Sequence, residues 1–369
     1  MPQTTTLDLP LDELEPELVT VLDPLAFDEV ARRMPAMNAA GDVNGLVDAL
    51  RTRVPEETGD YTLPERLAAM RDLGMLLGSV KRHGVEPAQA VPEVVPVLEE
   101  LGRATGLIAR DTVLHYSIWN PRDGRRRMYT GDDQEHCMQN VLRTVLPELR
   151  QALALCDLLV EIDPRDSAFA ADATALARHM DVMADLMDLI VRRVSPAFFA
   201  HDLRPYYEEV TIAGEVLMGP AAAHVPLWLA DLAIWASDQG DEDYAEFLGE
   251  TVPYTLPRWR DFYLSWLPGP SMVTRLAHAY ERNGDSPTLR RSAAALVRLL
   301  RAITVFRGRH LRIARQAYAE SMRLYPAGSA GGTIELLDSI LALTRQASDT
   351  VRQSSGFTAT RRRRAAEGR

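Results

Sequence analysis

From Ala294 to Met322 the chain contains no proline and a single glycine, Gly308, so nothing in the sequence interrupts a helix there. Ser286-Pro287 supplies a start signal, and Pro326 with the small residues Gly328-Ser329-Ala330-Gly331-Gly332-Thr333 supplies the stop. A helix of that length needs a face to bury. Leu296, Leu299, Leu300, Ile303, Phe306, His310, Ile313 and Ala317 recur at three- and four-residue steps and provide one. His310 therefore stands in an apolar stripe, where an imidazole needs a partner. Two kinds suit it: a structural hydrogen bond, or a metal carried by an apolar cofactor such as heme, lying between this helix and its neighbours.

The same periodicity runs through most of the chain and predicts an all-α protein of two helical domains. Residues 1–24 read as an irregular acidic segment extended over the surface. Residues 25–125 read as a small domain of short helices broken by Pro35, Gly41, Pro55, Pro64, Gly84, Pro87 and Pro92. The clearest of these helices is Pro64–Val80, with Leu67, Met70, Leu73, Leu77 and Val80 on one face. The turn-rich Trp119-Asn120-Pro121-Arg122-Asp123-Gly124-Arg125 marks the passage to a larger domain, 126–355. There Asp133–Glu161 and Ser167–Val194 are amphipathic and too long for strands. Helices follow over Pro226–Ser237, Tyr244–Leu248, Pro253–Trp266 and Met272–Arg282, and a last one over Ile334–Arg352. Alternation in Glu209–Met218 around Ala213-Gly214 predicts one small β-hairpin. Residues 356–369, with four consecutive arginines, read as a disordered basic tail.

Composition removes several classes of function. Hydrophobic residues make up 46% of 369, enough for a large core, and 41 Lys and Arg against 52 Asp and Glu leave a net charge of −11. That balance argues against a general nucleic-acid binder. No apolar run approaches the roughly 20 residues of a membrane span, and the N-terminus is polar and acidic, so a cytoplasmic protein without a membrane partner is expected. Cys137 and Cys156 are the two cysteines. They form no Cys-x-x-Cys-His attachment site, so a heme here would be noncovalent, of the b type.

Phe306-Arg307-Gly308-Arg309-His310-Leu311, leading through Ala317-Tyr318 to the Gly328–Thr333 loop, resembles the proximal-histidine helix and glycine-rich loop of the indoleamine and tryptophan 2,3-dioxygenase superfamily. Within it the chain is most similar to the pyrrolnitrin-pathway branch, the monodechloroaminopyrrolnitrin synthase (PrnB) type. Supporting segments are Met70-Arg71-Asp72-Leu73-Gly74, Leu77-Gly78-Ser79-Val80-Lys81-Arg82-His83-Gly84, Trp119-Asn120-Pro121, Tyr129-Thr130-Gly131 and Leu203-Arg204-Pro205-Tyr206-Tyr207-Glu208. The resemblance spans about residues 25 to 352 and implies a heme-binding, all-helical, indoleamine 2,3-dioxygenase-like fold.

The resemblance also implies roles for individual residues. His310 becomes the axial ligand of a heme b iron, and Arg307, one turn earlier, a partner for a heme propionate. Ser329 becomes a catalytic and substrate-binding residue, with Gly328, Gly331 and Gly332 bringing backbone N–H groups to the substrate. Tyr318, two turns beyond His310, joins Ser329 at the reacting centre. Ala330 departs from the branch, which usually reads Gly-Ser-Gly-Gly, and so puts the position of Ser329 and the identity of the substrate in question. His83, His115 and His136 show no metal-site spacing. Trp119, Trp228, Trp235, Tyr206 and Tyr207 are the aromatic residues available to line a pocket. The implied reaction is an oxidative rearrangement or oxygenation of tryptophan or a chlorotryptophan, with dioxygen or peroxide, to an aminophenylpyrrole-type product of antibiotic biosynthesis. Its electron donor is unassigned. Competing expectations are a heme mono- or dioxygenase of tryptophan or tyrosine and, further off, a non-enzymatic heme sensor or helical interaction protein.

Overall fold

A computed structural model describes residues 10–221, 225–321 and 332–356, with the backbone alone described at Tyr318, Glu320 and Ser321. The chain divides into two compact units, built from 1–140, 201–224 and 253–261, and from 141–200, 225–252 and 262–369. The elements are all helices except for one hairpin among the described residues, as the periodicity predicts.

The first unit holds α1 (Glu17–Thr20), α2 (Asp28–Ala40), α3 (Val43–Arg53), α4 (Leu63–Arg82), α5 (Pro87–Ala90), α6 (Val94–Thr105) and α7 (Val113–Tyr116). Its centre is α4, buried without interruption from Leu67 to Val80. A capping box starts α4: the Glu65 carboxylate accepts from the Thr62 backbone N–H at 2.8 Å and from its hydroxyl at 2.7 Å. Burial all round forces the polar residues of α4 to find partners. Arg71 donates twice to Asp72, at 2.8 and 2.9 Å, and Asp72 also accepts from Arg127, which reaches on to Asp28 at 2.7 Å. Arg71 further donates to the carbonyls of Val19, Leu22 and Trp119. These contacts explain a departure from expectation. The segment up to Pro24 does not lie extended over the surface where it is described. It forms α1, buries Leu14 and Val19, and has its carbonyls held by an arginine of the central helix.

The hairpin pairs β1 (Val210–Ile212) with β2 (Glu215–Leu217) through Ala213 and Gly214, both at positive φ, the turn that two-residue hairpins favour. It belongs to the first unit, so that unit is not the contiguous span 25–125. The reason is local: Arg110 donates to the carbonyls of Glu208 and Leu217 at 2.8 and 2.7 Å, and the Tyr206 ring stacks on Tyr129 at 4.5 Å.

Helix α8 (Asp133–Glu161) supplies residues to both units, its Glu135 carboxylate accepting from the Tyr129 and Thr130 backbone N–H groups. The second unit contains α9 (Ser167–Arg193), α10 (Leu227–Asp231) running into a π-helical turn (Leu232–Ala236), α11 (Ser237–Gln239) and α12 (Glu242–Thr251). After α13 (Pro257–Trp266) come α14 (Met272–Asn283), α15 (Pro287–Ser321) and α16 (Ile334–Ser354). Side chains cap α9, α12, α14 and α16 at Asp166, Asp241, Ser271 and Thr333. Helix α15 is the long helix of the sequence, begun earlier than its uninterrupted core, at Pro287, and it packs along α9 and α16. Arg298 pairs with Asp181 of α9, and Arg309 with Asp185 and Asp188.

Candidate functional site

The apolar stripe of α15 changes character along its length. Leu296, Leu299, Leu300 and Ile303 are fully buried, whereas Phe306, His310 and Ile313, on the same stripe, remain partly accessible. The Phe306 and His310 ring centroids lie 6.1 Å apart.

His310 has no hydrogen-bond partner among the described residues and is surrounded closely enough that burial pushes its pKa down to about 4, with the positive charge of Arg307 acting in the same direction. The ring is therefore neutral at ordinary pH. A neutral imidazole is the form that binds a metal. Among the described residues no three His, Cys, Asp or Glu side chains gather to hold a metal ion.

Arg307, one turn before His310, points into the same unit and forms an ion pair with Asp231 at the end of α10. Asp231 is fully buried and also accepts from Trp235 Nε1 at 3.1 Å and from the Tyr244 hydroxyl at 2.8 Å. Burial acts against the Arg307 charge; the Asp231 carboxylate beside it holds that charge in place. The pair is incompletely satisfied, because Arg307 Nε is buried without a partner. The Trp235 and Tyr244 rings stack on each other at 5.6 Å. Trp235 lies on the π-helical turn that follows Asp231.

Asp231 is the site residue that sequence reasoning missed. Its signal is visible in retrospect: a single acid inside the apolar run Leu227-Trp228-Leu229-Ala230-Asp231-Leu232-Ala233-Ile234-Trp235-Ala236, where a charge needs a buried counter-ion. The fold unites Arg307 and His310 with Asp231 and Trp235. Among the aromatic residues, Trp119, Tyr206 and Tyr207 belong to the first unit, and Trp228 and Trp235 to the second. Trp119 packs edge-on against His115, Tyr206 and Tyr207 pack on Tyr129, and Trp228 packs edge-on against Tyr263. Each is core. His115 accepts from the Thr112 backbone N–H at 3.0 Å within α7's capping box and is not placed as a ligand.

Gly328, Ser329 and Gly331 lie outside the described residues, as do the Tyr318 side chain and the basic tail from 357 onward. Gly332 is described and partly accessible, the position of a Cβ on it lying 3.8 Å from the Phe247 ring. Among the described residues no helix is long and apolar enough to cross a membrane. Compared with known protein families, residues 5–362 match the family described as monodechloroaminopyrrolnitrin synthase PrnB.

Proposed function

Because the chain belongs to the monodechloroaminopyrrolnitrin synthase PrnB family, an enzyme family of pyrrolnitrin biosynthesis, we propose that it converts tryptophan or a chlorotryptophan to an aminophenylpyrrole with the help of a heme b bound at His310. The observation that carries this reading is the neutral His310 ring, without a hydrogen bond among the described residues, on the partly accessible part of the α15 stripe and one turn from a buried arginine. Partly accessible Phe306 and Ile313, on the same stripe, would give a cleft there apolar walls suited to a flat macrocycle. When bound, the heme supplies the site of oxidant binding and the electrons' path into and out of the substrate.

The chain's own residues do the rest. His310 holds the group through one ring nitrogen. Arg307 offers a guanidinium whose Nε is still free to pair with a propionate. Asp231 keeps that guanidinium oriented, itself fixed by Trp235 and Tyr244. Ser329 and the backbone of Gly328, Gly331 and Gly332 are assigned to the amino-acid end of the substrate, and Tyr318 to the reacting end, on the family's sequence pattern. Cleft walls of this kind exclude water and orient the ring.

Going from a tryptophan to an aminophenylpyrrole removes carbon dioxide and two hydrogens, a two-electron oxidation. Peroxide, or dioxygen with a reductant, accepts those electrons. The test is to load purified protein with hemin and follow the Soret band and the product mass with tryptophan and 7-chlorotryptophan. A product lighter than the substrate by carbon dioxide and two hydrogens supports the proposal; a product heavier by two oxygens makes the enzyme a dioxygenase instead. His310→Ala should lose the histidine-ligated spectrum, and an unchanged Soret band with unchanged turnover would remove His310 from the site.

A further inference from the structure

Gly308 lies in the interior of α15, where a glycine costs a helix about 1 kcal/mol relative to alanine, and the function proposed above does not use it. Close packing does not require it either. A Cβ on Gly308 would meet nothing within 4 Å, whereas on Gly74 or Gly78 of α4 it would run into Asp111 or the Tyr206 backbone. The missing side chain opens onto a cavity of about 460 Å³ between α15 and α16, whose walls include Leu311, Arg312, Arg315, Asp338, Leu341 and Arg345. Both helices belong to the second unit. Gly308 and Arg312 each stand two residues from His310, about 200° around the helix, so the cavity lies on the face of α15 turned away from the histidine. It is a separate place from the candidate site.

The walls divide by chemistry. Leu311 and Leu341 are buried and, with Gly308, give an apolar floor. At one end Arg315 of α15 donates to both carboxylate oxygens of Asp338 of α16, at 2.9 and 2.6 Å, so the charges there cancel. Arg345 stands about two turns from Asp338 along α16. Arg312 and Arg345 are exposed, and neither has an ion pair or hydrogen bond among the described residues. By contrast Arg290, Arg298, Arg309 and Arg315 of α15 each have an acidic partner. Acids outnumber bases in this chain, whose net charge is −11, yet none of the described acids pairs with these two guanidiniums.

An apolar floor beside two free guanidiniums selects a ligand that has both characters. A guanidinium binds a carboxylate through paired N–H donors, and a cavity of this size takes a small molecule. We propose that the Gly308 cavity binds a small organic carboxylate, its compact apolar body on Gly308, Leu311 and Leu341 and its carboxylate on Arg312 and Arg345. Asp338 sets the orientation by repelling the carboxylate from its own end. An inorganic anion lacks the body, and an uncharged apolar molecule lacks the charge, so both bind less well.

Equilibrium dialysis of the heme-loaded full chain tests this with 2-naphthoate and octanoate, an aromatic and an aliphatic body on the same charged group. At least one should bind with a Kd below about 1 mM, and acetate, inorganic phosphate and 2-naphthylmethanol should each bind about tenfold more weakly or worse. Replacing both arginines, Arg312→Gln with Arg345→Gln, should weaken carboxylate binding by about tenfold or more, the scale of a lost hydrogen bond to a charged group. Gly308→Leu fills the cavity from its floor while improving the helix, and should have the same effect even if the double arginine variant folds poorly. Undiminished affinity in Gly308→Leu would put the carboxylate elsewhere and overturn the proposal. Phosphate bound as tightly as 2-naphthoate would reduce the site to a cationic patch and overturn it, as would no binding of either carboxylate up to about 1 mM. Self-association in sedimentation that these variants abolish would make the face a contact between copies of this chain, which also overturns it.

Discussion

Replacing Asp231 with Asn tests the electrostatic core of the candidate site. The substitution keeps the shape and one acceptor oxygen, so Trp235 or Tyr244 retains a hydrogen bond, but it removes the one counter-ion that the nearly buried Arg307 guanidinium has among the described residues. Removing one member of a buried pair costs about 3–5 kcal/mol, because the other charge is left uncompensated. Losing one of the two aromatic hydrogen bonds adds about 1 kcal/mol. A destabilisation of about 4–6 kcal/mol is therefore expected in heme-free protein, read from urea unfolding followed by circular dichroism. Arg307→Met removes the stranded charge, so Asp231→Asn in that background should cost far less than in the wild type. The two substitutions are then strongly coupled in a double-mutant cycle. If Asp231→Asn costs under about 1 kcal/mol, or the two changes add without coupling, the ion pair is not holding the site together and the argument fails.

Three further outcomes are expected. His310→Ala should raise the heme dissociation rate, measured by transfer to apomyoglobin, while leaving the heme-free protein at least as stable, since its ring makes no hydrogen bond among the described residues. His115 is buried neutral, its pKa pushed down to about 3 by burial and then by Arg71. The unfolded chain takes up its proton first, so this group contributes stability above the unfolded pKa near 6.5 that is lost as pH falls below it, about 2 kcal/mol by pH 5. The loss should be absent in His115→Gln when urea midpoints at pH 7 and pH 5 are compared. Gly78→Ala places a methyl group 2.7 Å from a backbone carbonyl oxygen and from the Tyr129 hydroxyl, and should lower stability by about 1–3 kcal/mol; an unchanged urea midpoint would show that these neighbours give way without cost.

Periodic elements were legible because their signals are local. Asp133–Glu161 has the same ends in sequence and structure, and Ala213-Gly214 makes the hairpin turn it predicts. Arg307 and His310 were legible as a pair because helical spacing alone puts them on adjacent turns. Asp231 was not, since its partners Tyr244 and Arg307 are 13 and 76 residues away and only tertiary packing brings them together. The burial of Leu14 and Val19 was hidden for a similar reason: polar, acidic neighbours disguise a segment whose carbonyls are claimed by Arg71. The π-helical turn after Asp231 has no periodicity of its own to read. The aromatic residues looked alike in sequence, and only their neighbours distinguish core rings from any that could meet a ligand.

The interleaving of the two units along the chain bears on how the protein is made. The first unit draws its last residues from 253–261, after the chain has already visited the second unit twice, at 141–200 and 225–252. On a ribosome, neither unit can be completed from the residues synthesised before about 261, because Arg110 waits for the carbonyls of Glu208 and Leu217 and α9 waits for α15. Nascent chains of intermediate length therefore expose apolar faces of two unfinished cores at once, the condition under which aggregation competes with folding. A cut at any loop between about residues 141 and 252 leaves both units short of a piece, so halves divided there are poor substitutes for the whole chain. Chaperone supply during synthesis then bears on yield as directly as the stability of the finished fold.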